Sequence, residues 1–180
     1  MTAVSDAADF EARLKKVRLV VLDVDGVLTD GRIVYGDYGD ELKFFDVTDG
    51  MGIELLREAG IPTVIVSARK SKTNERRAKE LRVARIFQNV PDKLKAFTKA
   101  LRQFGVSADE TLCAGDDLGD VPLLKRAGLA VAVPNAVPDV KAAAHYVTSR
   151  PGGHGAVREI CDLVLKAQGH WPRVTQKFFR

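Results

Sequence analysis

Residues 18–31 read RLVVLDVDGVLTDG, an apolar run that ends in acidic and turn-forming residues. The apolar part, residues 18–22, has the length and aliphatic content of a strand buried on both faces. Similar runs follow at residues 62–66, 85–87, 111–114 and 129–133. Because these runs alternate with helix-like segments, the sequence predicts an α/β fold with a doubly wound, Rossmann-like parallel sheet.

The segments between the runs carry the periodicity and end signals of α-helices. In residues 92–104 apolar side chains recur at helical spacing, Pro91 suits the first helical position, and Gly105 suits the C-terminal cap. Further helices are predicted at residues 49–59, 121–127 and 156–168.

One segment interrupts this alternation. Residues 32–35 and 41–45 flank the turn-rich residues 36–40, a pattern that predicts a β-hairpin. Only this hairpin flap and one helix fit between the first two strands, so no cap domain is expected. The predicted organisation is an N-terminal extension (1–16), one α/β domain (17–169) and a C-terminal tail (170–180).

Composition narrows the functional classes. The 180 residues suit one domain, 46% of them are hydrophobic, and no apolar stretch approaches the roughly 20 residues of a membrane span. The N-terminus lacks the apolar centre of a secretory signal, and Cys113 and Cys161 fit small buried side chains in a reducing compartment. We therefore expect a cytoplasmic protein that does not bind a membrane.

Positive charge is modest and local. The net charge is +4, and basic residues concentrate only at residues 69–85 and in the tail. A nucleic-acid interface would need a more continuous basic stripe with stacking aromatic residues. We expect the partner to be a small anionic substrate, and we do not expect the protein to bind nucleic acid.

Polar side chains follow four of the predicted strands. They are Asp23 and Asp25 after the first strand, Ser67 after the second, Lys93 shortly after the third, and Asp116, Asp117 and Asp120 after the fourth. Since the carboxyl ends of parallel strands meet at one edge of a sheet, we expect these residues to share one pocket. Five clustered carboxylates repel one another, so the pocket requires a cation, and oxygen ligands favour Mg²⁺.

These residue types suit phosphoryl transfer. An ionised carboxylate such as Asp23 can attack phosphorus without a base. Asp25, two residues further on, can protonate the departing oxygen and later activate water. Ser67 and Lys93 suit substrate positioning and charge stabilisation, and the remaining acids can orient metal-bound water. The sequence thus predicts a Mg²⁺-dependent phosphatase of small phosphorylated metabolites.

The motifs and their order resemble the haloacid dehalogenase superfamily. They are DVDGVLTDG at residues 23–31, Ser67, Lys93, and GDDLGD at residues 115–120. Within the superfamily, residues 17–169 are similar to the capless 3-deoxy-D-manno-octulosonate 8-phosphate phosphatases, which share the short hairpin. Further similar segments are residues 41–43, 49–53, 88–93 and 152–159.

The resemblance implies a role for each site residue. Asp23 would be the nucleophile and Asp25 the general acid and base. Mg²⁺ would be held by Asp23, Asp116 and the backbone carbonyl of Asp25, with Asp117 and Asp120 around them. The family implies a homotetramer that serves the synthesis of the lipopolysaccharide sugar.

The residues after Ser67 bear on the substrate. Ala68 stands where the family pattern has glycine, a departure expected to shift the loop slightly without abolishing activity. Arg69 and Lys93 are the expected substrate-binding residues. Arg69 favours the octulosonate phosphatases over the related nonulosonate 9-phosphate phosphatases, in which an acidic residue often follows.

Two alternatives are not enzymes of this kind. A response-regulator receiver domain has similar acidic residues, a hydroxyl and a lysine, but in a different order along the chain. A phosphatase-like oligomerisation module, as in some sialic acid cytidylyltransferases, would not need the intact pair Asp23 and Asp25.

The absence of a cap predicts a site shared between subunits. The apolar hairpin is expected to pair with copies of itself, because an isolated two-stranded hairpin is only marginally stable. The tail offers aromatic anchors and cations suited to an adjacent anionic pocket: Trp171, Arg173, Lys177, Phe178, Phe179 and Arg180.

Overall fold

The computed structural model describes residues 7–180, and a parallel sheet forms its centre. The strands are β1 (Leu19–Leu22), β2 (Val34–Tyr35), β3 (Glu41–Leu42), β4 (Thr63–Val66), β5 (Arg85–Phe87), β6 (Thr111–Gly115), β7 (Leu129–Ala132) and β8 (Tyr146–Val147). Six of these described strands lie side by side in the order β5-β4-β1-β6-β7-β8, all parallel. The predicted doubly wound α/β fold is confirmed.

Helices cover the sheet. They are α1 (Ala7–Lys16), α2 (Val47–Ala59), α3 (Lys72–Glu80), α4 (Lys93–Phe104), α5 (Val121–Leu124), α6 (Pro138–Ala143), α7 (Ala156–Ala167) and α8 (Trp171–Thr175). Helices α1, α2 and α7 pack together, as do α4, α5 and α6. No helix within residues 7–180 has the length and apolar character needed to cross a bilayer.

Strand order creates the crevice in which the polar residues gather. The chain runs from β1 outward to β4 and β5, then returns to the other side of β1 with β6, β7 and β8. The direction therefore switches between β1 and β6, and ligands of such sheets bind beyond the carboxyl ends of the strands at this switch. Every residue of β1, β4, β6 and β7 is buried, so these strand ends are held rigidly.

Two predicted helix starts are wrong because a side chain caps the helix at another residue. The Asp46 side chain accepts from Thr48 N, so α2 begins at Val47 and not at residue 49. The Asp92 side chain accepts from Lys95 N, so α4 begins at Lys93 and Pro91 lies before the cap. The predicted ends at Gly60 and Gly105 are confirmed, since each glycine is in the left-handed conformation.

The hairpin is shorter than predicted. Its strands β2 and β3 have two residues each, although the pattern predicted strands at residues 32–35 and 41–45. After Leu42 the chain leaves the ladder, and Phe45 instead forms a bridge with Thr29 in the loop after β1. Residues 23–62, all described, otherwise contain only α2, and the predicted absence of a cap domain is confirmed.

Several elements had no sequence-based prediction. These are β8, α3, α6 and α8, while residues 7–16 form helix α1 and place Leu14 in the core. The predicted helix over residues 121–127 is also too long, because α5 ends at Leu124. The first part of the predicted N-terminal extension, residues 1–6, lies outside the described residues. The division of the chain at residues 16 and 169 stays a prediction.

Candidate active site

Three carboxylates meet at the carboxyl edge of the sheet, between β1 and β6. Asp23 follows β1 directly, Asp116 follows β6, and Asp120 ends the 3-10 helix Leu118–Asp120. Asp23 N donates to Ala114 O at 3.1 Å, so the pairing of β1 with β6 continues into the site. One carboxylate oxygen from each of the three acids lies within 4.8 Å of the other two.

Lys93, the first residue of α4, bridges this acidic cluster. Its Nζ lies 2.9 Å from Asp23 Oδ2 and donates to Asp120 Oδ1 at 2.6 Å. Burial alone would lower the pKa of Lys93, but the charges of Asp23 and Asp120 hold that pKa above its ordinary value. Lys93 is therefore an ammonium, and a single positive charge faces three carboxylates.

The cluster carries uncompensated negative charge. Burial, and then the charge of Asp120, raises the pKa of Asp23 to about 7. Burial, and then the charge of Asp23, raises the pKa of Asp116 to about 7. Asp116 Oδ1 is buried and has no hydrogen-bond partner among residues 7–180. This all-oxygen donor set fits a hard divalent cation such as Mg²⁺, which would remove the repulsion and engage the unpartnered oxygen.

Gly26 lets the loop after β1 approach Asp116. The φ angle of Gly26 is +92°, and a Cβ there would lie 2.0 Å from Asp116 Oδ2. Asn135 Nδ2 donates to Gly26 O at 2.8 Å, and Gly152 N donates to Asn135 Oδ1 at 2.8 Å. The turn that carries Asp25 is therefore fixed by two other loops.

The Asp25 carboxylate faces the hairpin and is not one of the three clustered acids. Its Oδ1 accepts from Lys43 Nζ at 2.6 Å, and its Oδ2 lies 3.8 Å from Arg69 Nε. The Lys43 side chain has no exposed surface, and its Nζ also donates to Asn74 Oδ1 at 3.1 Å. The hairpin thus reaches back into the site and contacts the second acid of the Asp23–Asp25 pair.

Arg69 joins the hairpin to the loop after β4. Its Nη2 donates to Tyr35 Oη at 2.8 Å and to Glu41 Oε2 at 3.2 Å, while Glu41 Oε1 accepts from Ser71 Oγ at 2.6 Å. The Arg69 side chain remains 43% exposed. A partly exposed cation therefore lies at the mouth of the crevice, next to Asp25.

The remaining predicted residues lie at different depths. Ser67 directly follows β4, the neighbour of β1, and is buried; its Oγ accepts from Arg69 N at 3.3 Å. Asp117 is exposed, and its Oδ1 accepts from Leu118 N at 2.7 Å, so it caps the 3-10 helix. Asp120 Oδ2 accepts from the backbone N of Asp116 and of Asp117, which makes Asp120 the residue that shapes this loop.

Three residues of the site had no role assigned from the sequence. They are Lys43, Asn74 and Asn135, which contact Asp25, Lys43 and Gly26 respectively. Lys43 lies within residues 41–43, a segment that resembles the family, and this was the available signal. Asn74 and Asn135 carry no motif that distinguishes them from surface amides.

The chain is similar to known hydrolases of one superfamily. The family model of haloacid dehalogenase-like hydrolases matches residues 82–160. The chain is 44% identical, over 163 residues, to the 3-deoxy-D-manno-octulosonate 8-phosphate phosphatase KdsC of Escherichia coli strain K12, which covers 91% of this chain and 87% of that relative.

Solved structures give the same result. The phosphatase of that name from Moraxella catarrhalis, in complex with a magnesium ion, a phosphate ion and KDO, aligns with a TM-score of 0.92 and 38% identity over 94% of this chain and 98% of that one. The cobalt-bound deoxy-D-mannose-octulosonate 8-phosphate phosphatase of Haemophilus influenzae aligns with a TM-score of 0.88 and 38% identity, over 93% and 99% of the two chains.

Proposed function

Because the chain belongs to the 3-deoxy-D-manno-octulosonate 8-phosphate phosphatases of the haloacid dehalogenase superfamily, we propose that it hydrolyses that sugar phosphate to the free sugar acid and phosphate. The observation that carries the proposal is the buried Asp23 carboxylate at the end of β1, paired with Lys93 and clustered with Asp116 and Asp120. A related nonulosonate 9-phosphate is not favoured, because the relatives at 44% identity are octulosonate phosphatases.

Two aspartates share the chemistry. Asp23 attacks the phosphorus atom, an oxygen–phosphorus bond forms, and the ester bond to the sugar oxygen breaks. In its protonated form Asp25 gives the proton on its Oδ2 to that oxygen, while its Oδ1 accepts from Lys43 Nζ, and Oδ2 afterwards takes a proton from the water that hydrolyses the aspartyl-phosphate. Asp23→Asn should abolish turnover and leave the fold intact, since the amide fills the same volume but does not attack phosphorus. Substantial activity in this variant would refute the assignment of Asp23 as the nucleophile.

Mg²⁺ is the cofactor, held by Asp23, Asp116 and the backbone carbonyl of Asp25. When bound, it neutralises the charge of the phosphoryl oxygens. The raised pKa values of Asp23 and Asp116 and the unpartnered Asp116 Oδ1 support this ligand set.

A chelator should abolish activity, and added Mg²⁺ should restore it. Full activity in excess chelator would refute the dependence of the reaction on Mg²⁺.

Other side chains position the phosphate and the metal site. Lys93 and Ser67 hold the transferred phosphoryl group, Lys93 as the cation that faces Asp23 at 2.9 Å. Asp120 fixes Lys93 through its Oδ1 and the Asp116 backbone through its Oδ2. Asp117 shapes the same loop by capping its 3-10 helix.

Arg69 binds the sugar acid. Its side chain is 43% exposed at the mouth of the crevice, and its guanidinium can exchange its present carboxylate partners for the substrate carboxylate. The decisive experiment is phosphate release from a panel of sugar phosphates with Mg²⁺ present. We expect a higher kcat/KM for the octulosonate 8-phosphate than for hexose phosphates, and equal values would refute this substrate while leaving the phosphatase chemistry in place.

A homotetramer covers the site. The hairpin exposes apolar side chains that suit pairing between subunits: Val34, Tyr35, Leu42 and Phe44. In the single chain the tail packs on α2, where Lys177 pairs with Glu58, while Phe179 stays 84% exposed. We assign the exposed aromatic end to a neighbouring pocket.

Light scattering and truncation test this assembly. A tetramer is expected, and deletion of residues 170–180 should change the kinetics. A fully active monomer would refute the shared site, and unchanged kinetics after the deletion would show that the tail is not part of it.

The cytoplasm is the proposed compartment, since Cys113 and Cys161 are both free and buried. Detection of the protein in a periplasmic fraction would contradict this compartment.

A further inference from the structure

We propose that Lys43, at the base of the hairpin, is the positioning residue that directs the Asp25 carboxylate toward the departing sugar oxygen. The inference rests on the proposed phosphatase function and adds one element to it. The hairpin then has a chemical task in the site as well as an apolar surface.

The groups around the Lys43 ammonium hold it in place. Its Nζ donates to Asp25 Oδ1 at 2.6 Å and to Asn74 Oδ1 at 3.1 Å, and lies 3.5 Å from Glu41 Oε1. Two of its three donors therefore make hydrogen bonds, and Glu41 adds a second carboxylate at ion-pair distance. Because the side chain has no exposed surface, loss of Asp25 or Glu41 would remove part of the charge compensation of a buried ammonium. These contacts fix the position of Nζ.

The two acids of the Asp23–Asp25 pair are paired with different lysines. Lys93 lies 2.9 Å from Asp23, whereas Lys43 lies 2.6 Å from Asp25. Each aspartate has its own buried lysine on a different element, α4 for one and the hairpin for the other. The Asp25 carboxylate is outside the cluster of Asp23, Asp116 and Asp120. Lys43 thus keeps the second acid out of the acidic cluster and available for the leaving group.

Arg69 is not the positioning group. Arg69 Nε is 3.8 Å from Asp25 Oδ2, beyond hydrogen-bond distance, and the side chain is 43% exposed. Such a cation can turn to an incoming substrate. The Lys43 side chain has no exposed surface, and Asp25 and Asn74 already engage two of its donors, so Lys43 acts on Asp25 rather than on the substrate carboxylate.

The experiment compares three substrates that differ in what they require of Asp25. The octulosonate 8-phosphate and glucose 6-phosphate both release a strongly basic alkoxide, which needs a proton, whereas 4-nitrophenyl phosphate releases a weakly basic phenolate, which does not. Lys43→Met is compared with the wild type and with Lys99→Met, an exposed lysine on α4. Circular dichroism and urea unfolding report the fold, and calorimetry reports the Mg²⁺ affinity.

We expect Lys43→Met to lower kcat/KM for both sugar phosphates by about 10²-fold, the loss typical of a misplaced catalytic group, mainly through kcat. For 4-nitrophenyl phosphate the loss of kcat/KM should stay within about threefold, because kcat/KM reports the transfer of the phosphoryl group to Asp23, in which the phenolate needs no proton, and not the later hydrolysis that all three substrates share. Lys43→Arg should recover part of the sugar phosphate activity, and Lys99→Met should match the wild type. The Mg²⁺ affinity should not change.

Other patterns overturn the proposal. An equal loss of kcat/KM on all three substrates means a structural role, and a loss of kcat/KM confined to the octulosonate phosphate means that Lys43 binds the substrate carboxylate. If Lys43→Met does not fold, Lys43→Gln is measured on the same substrates, and its loss of kcat/KM on the sugar phosphates is compared with its loss on 4-nitrophenyl phosphate. A wild type that is inactive on every phosphate would refute the proposed function itself. If the wild type is active but Lys43→Met loses kcat/KM in one of these other patterns, only the positioning role of Lys43 is refuted.

Discussion

Gly26 is the residue at which the two acidic loops touch. Its φ angle is +92°, and the space that a Cβ would need is already occupied by the Asp116 carboxylate, 2.0 Å away. We expect Gly26→Ala to lower kcat by more than about 10²-fold, because Asp116 must move from the metal site. Steady-state kinetics and calorimetric Mg²⁺ titration measure this effect.

Gly60→Ala is the matched control for that variant. Gly60 has a similar φ angle of +86°, but a Cβ there would meet nothing within 4 Å. Both variants carry the backbone cost of about 1–2 kcal/mol that L-residues have in this conformation. Only Gly26→Ala adds the collision. If the two variants lose activity equally, backbone strain and not the contact with Asp116 is responsible.

Asp49, in the first turn of α2, makes stability depend on pH. Its Oδ1 accepts from Arg158 N at 2.7 Å, and its Oδ2 is buried without a partner among the described residues. Burial raises the pKa of Asp49 from 3.8 to about 6. A carboxyl whose pKa is raised by folding stabilises the fold below its unfolded pKa, and that contribution is lost as the pH rises through about 6.

The variant Asp49→Asn should therefore gain stability relative to the wild type as the pH increases. Asparagine does not titrate and keeps an oxygen for Arg158 N. The difference in the free energy of unfolding should change by up to about 3 kcal/mol between pH 4 and 7, which corresponds to roughly two pKa units. Urea unfolding of both proteins at several pH values measures it, and a difference that does not vary with pH would contradict the assignment.

Asn135 joins three loops at the level of elements. It donates to Gly26 O in the loop after β1 and accepts from Gly152 N in the loop before α7. Asn135→Ala leaves both backbone groups without this partner, so we expect a loss of about 1–3 kcal/mol in the free energy of unfolding. We also expect a lower kcat, because the turn that carries Asp25 is released.

Asn135→Asp separates the two contacts. It retains an acceptor for Gly152 N but places a carboxylate oxygen against Gly26 O, where asparagine has a donor. The carboxylate oxygen repels Gly26 O, so kcat and the free energy of unfolding should both fall at least as far as in Asn135→Ala, although the bond to Gly152 N remains. If kcat is unchanged in both variants, the contact with Gly26 is structural only. Urea unfolding and steady-state kinetics distinguish the two outcomes.

The sequence predicted the elements whose pattern is local and missed those defined by distant partners. Five strands were evident because each is mostly apolar, whereas β8 has only two half-buried residues. The cap of α4 was misjudged because Pro91 and Asp92 are both typical of helix starts, and only the hydrogen bond to Lys95 N decides between them. The hairpin was drawn too long because residues 43–45 look like strand but contact the body of the domain.

The same distinction applies to the site. Asp23, Asp116, Asp120 and Lys93 follow predicted strands, so topology alone brings them together. The contact of Lys43 with Asp25 joins residues 18 positions apart and depends on how the hairpin folds back. Periodicity does not encode that direction. The alternation of apolar Leu42 and Phe44 with Lys43 predicts that the lysine faces solvent, whereas in the structure Leu42 and Phe44 are exposed and the Lys43 side chain is buried.

For the whole molecule, metal binding and proton release should be coupled. Without a cation the pKa values of Asp23 and Asp116 are both raised to about 7, so these carboxyls are partly protonated near neutral pH. A cation requires the ionised forms, and the apparent Mg²⁺ affinity should rise from pH 6 to 8 as the protons are lost. Calorimetry in two buffers of different ionisation enthalpy measures the protons released. Binding without any proton release would show that these carboxyls are already ionised.

Two cations lie over the indole of Trp171, with Arg158 Cζ 5.9 Å and Lys166 Nζ 4.9 Å from the ring centroid. The chain has a single tryptophan, and it stands at the start of the tail. Its fluorescence therefore comes from one known place, where α8 meets α7. The emission wavelength reports whether the tail is docked, independently of the circular dichroism of the sheet and helices. Movement of the tail can accordingly be followed optically in the unlabelled protein, during turnover or assembly.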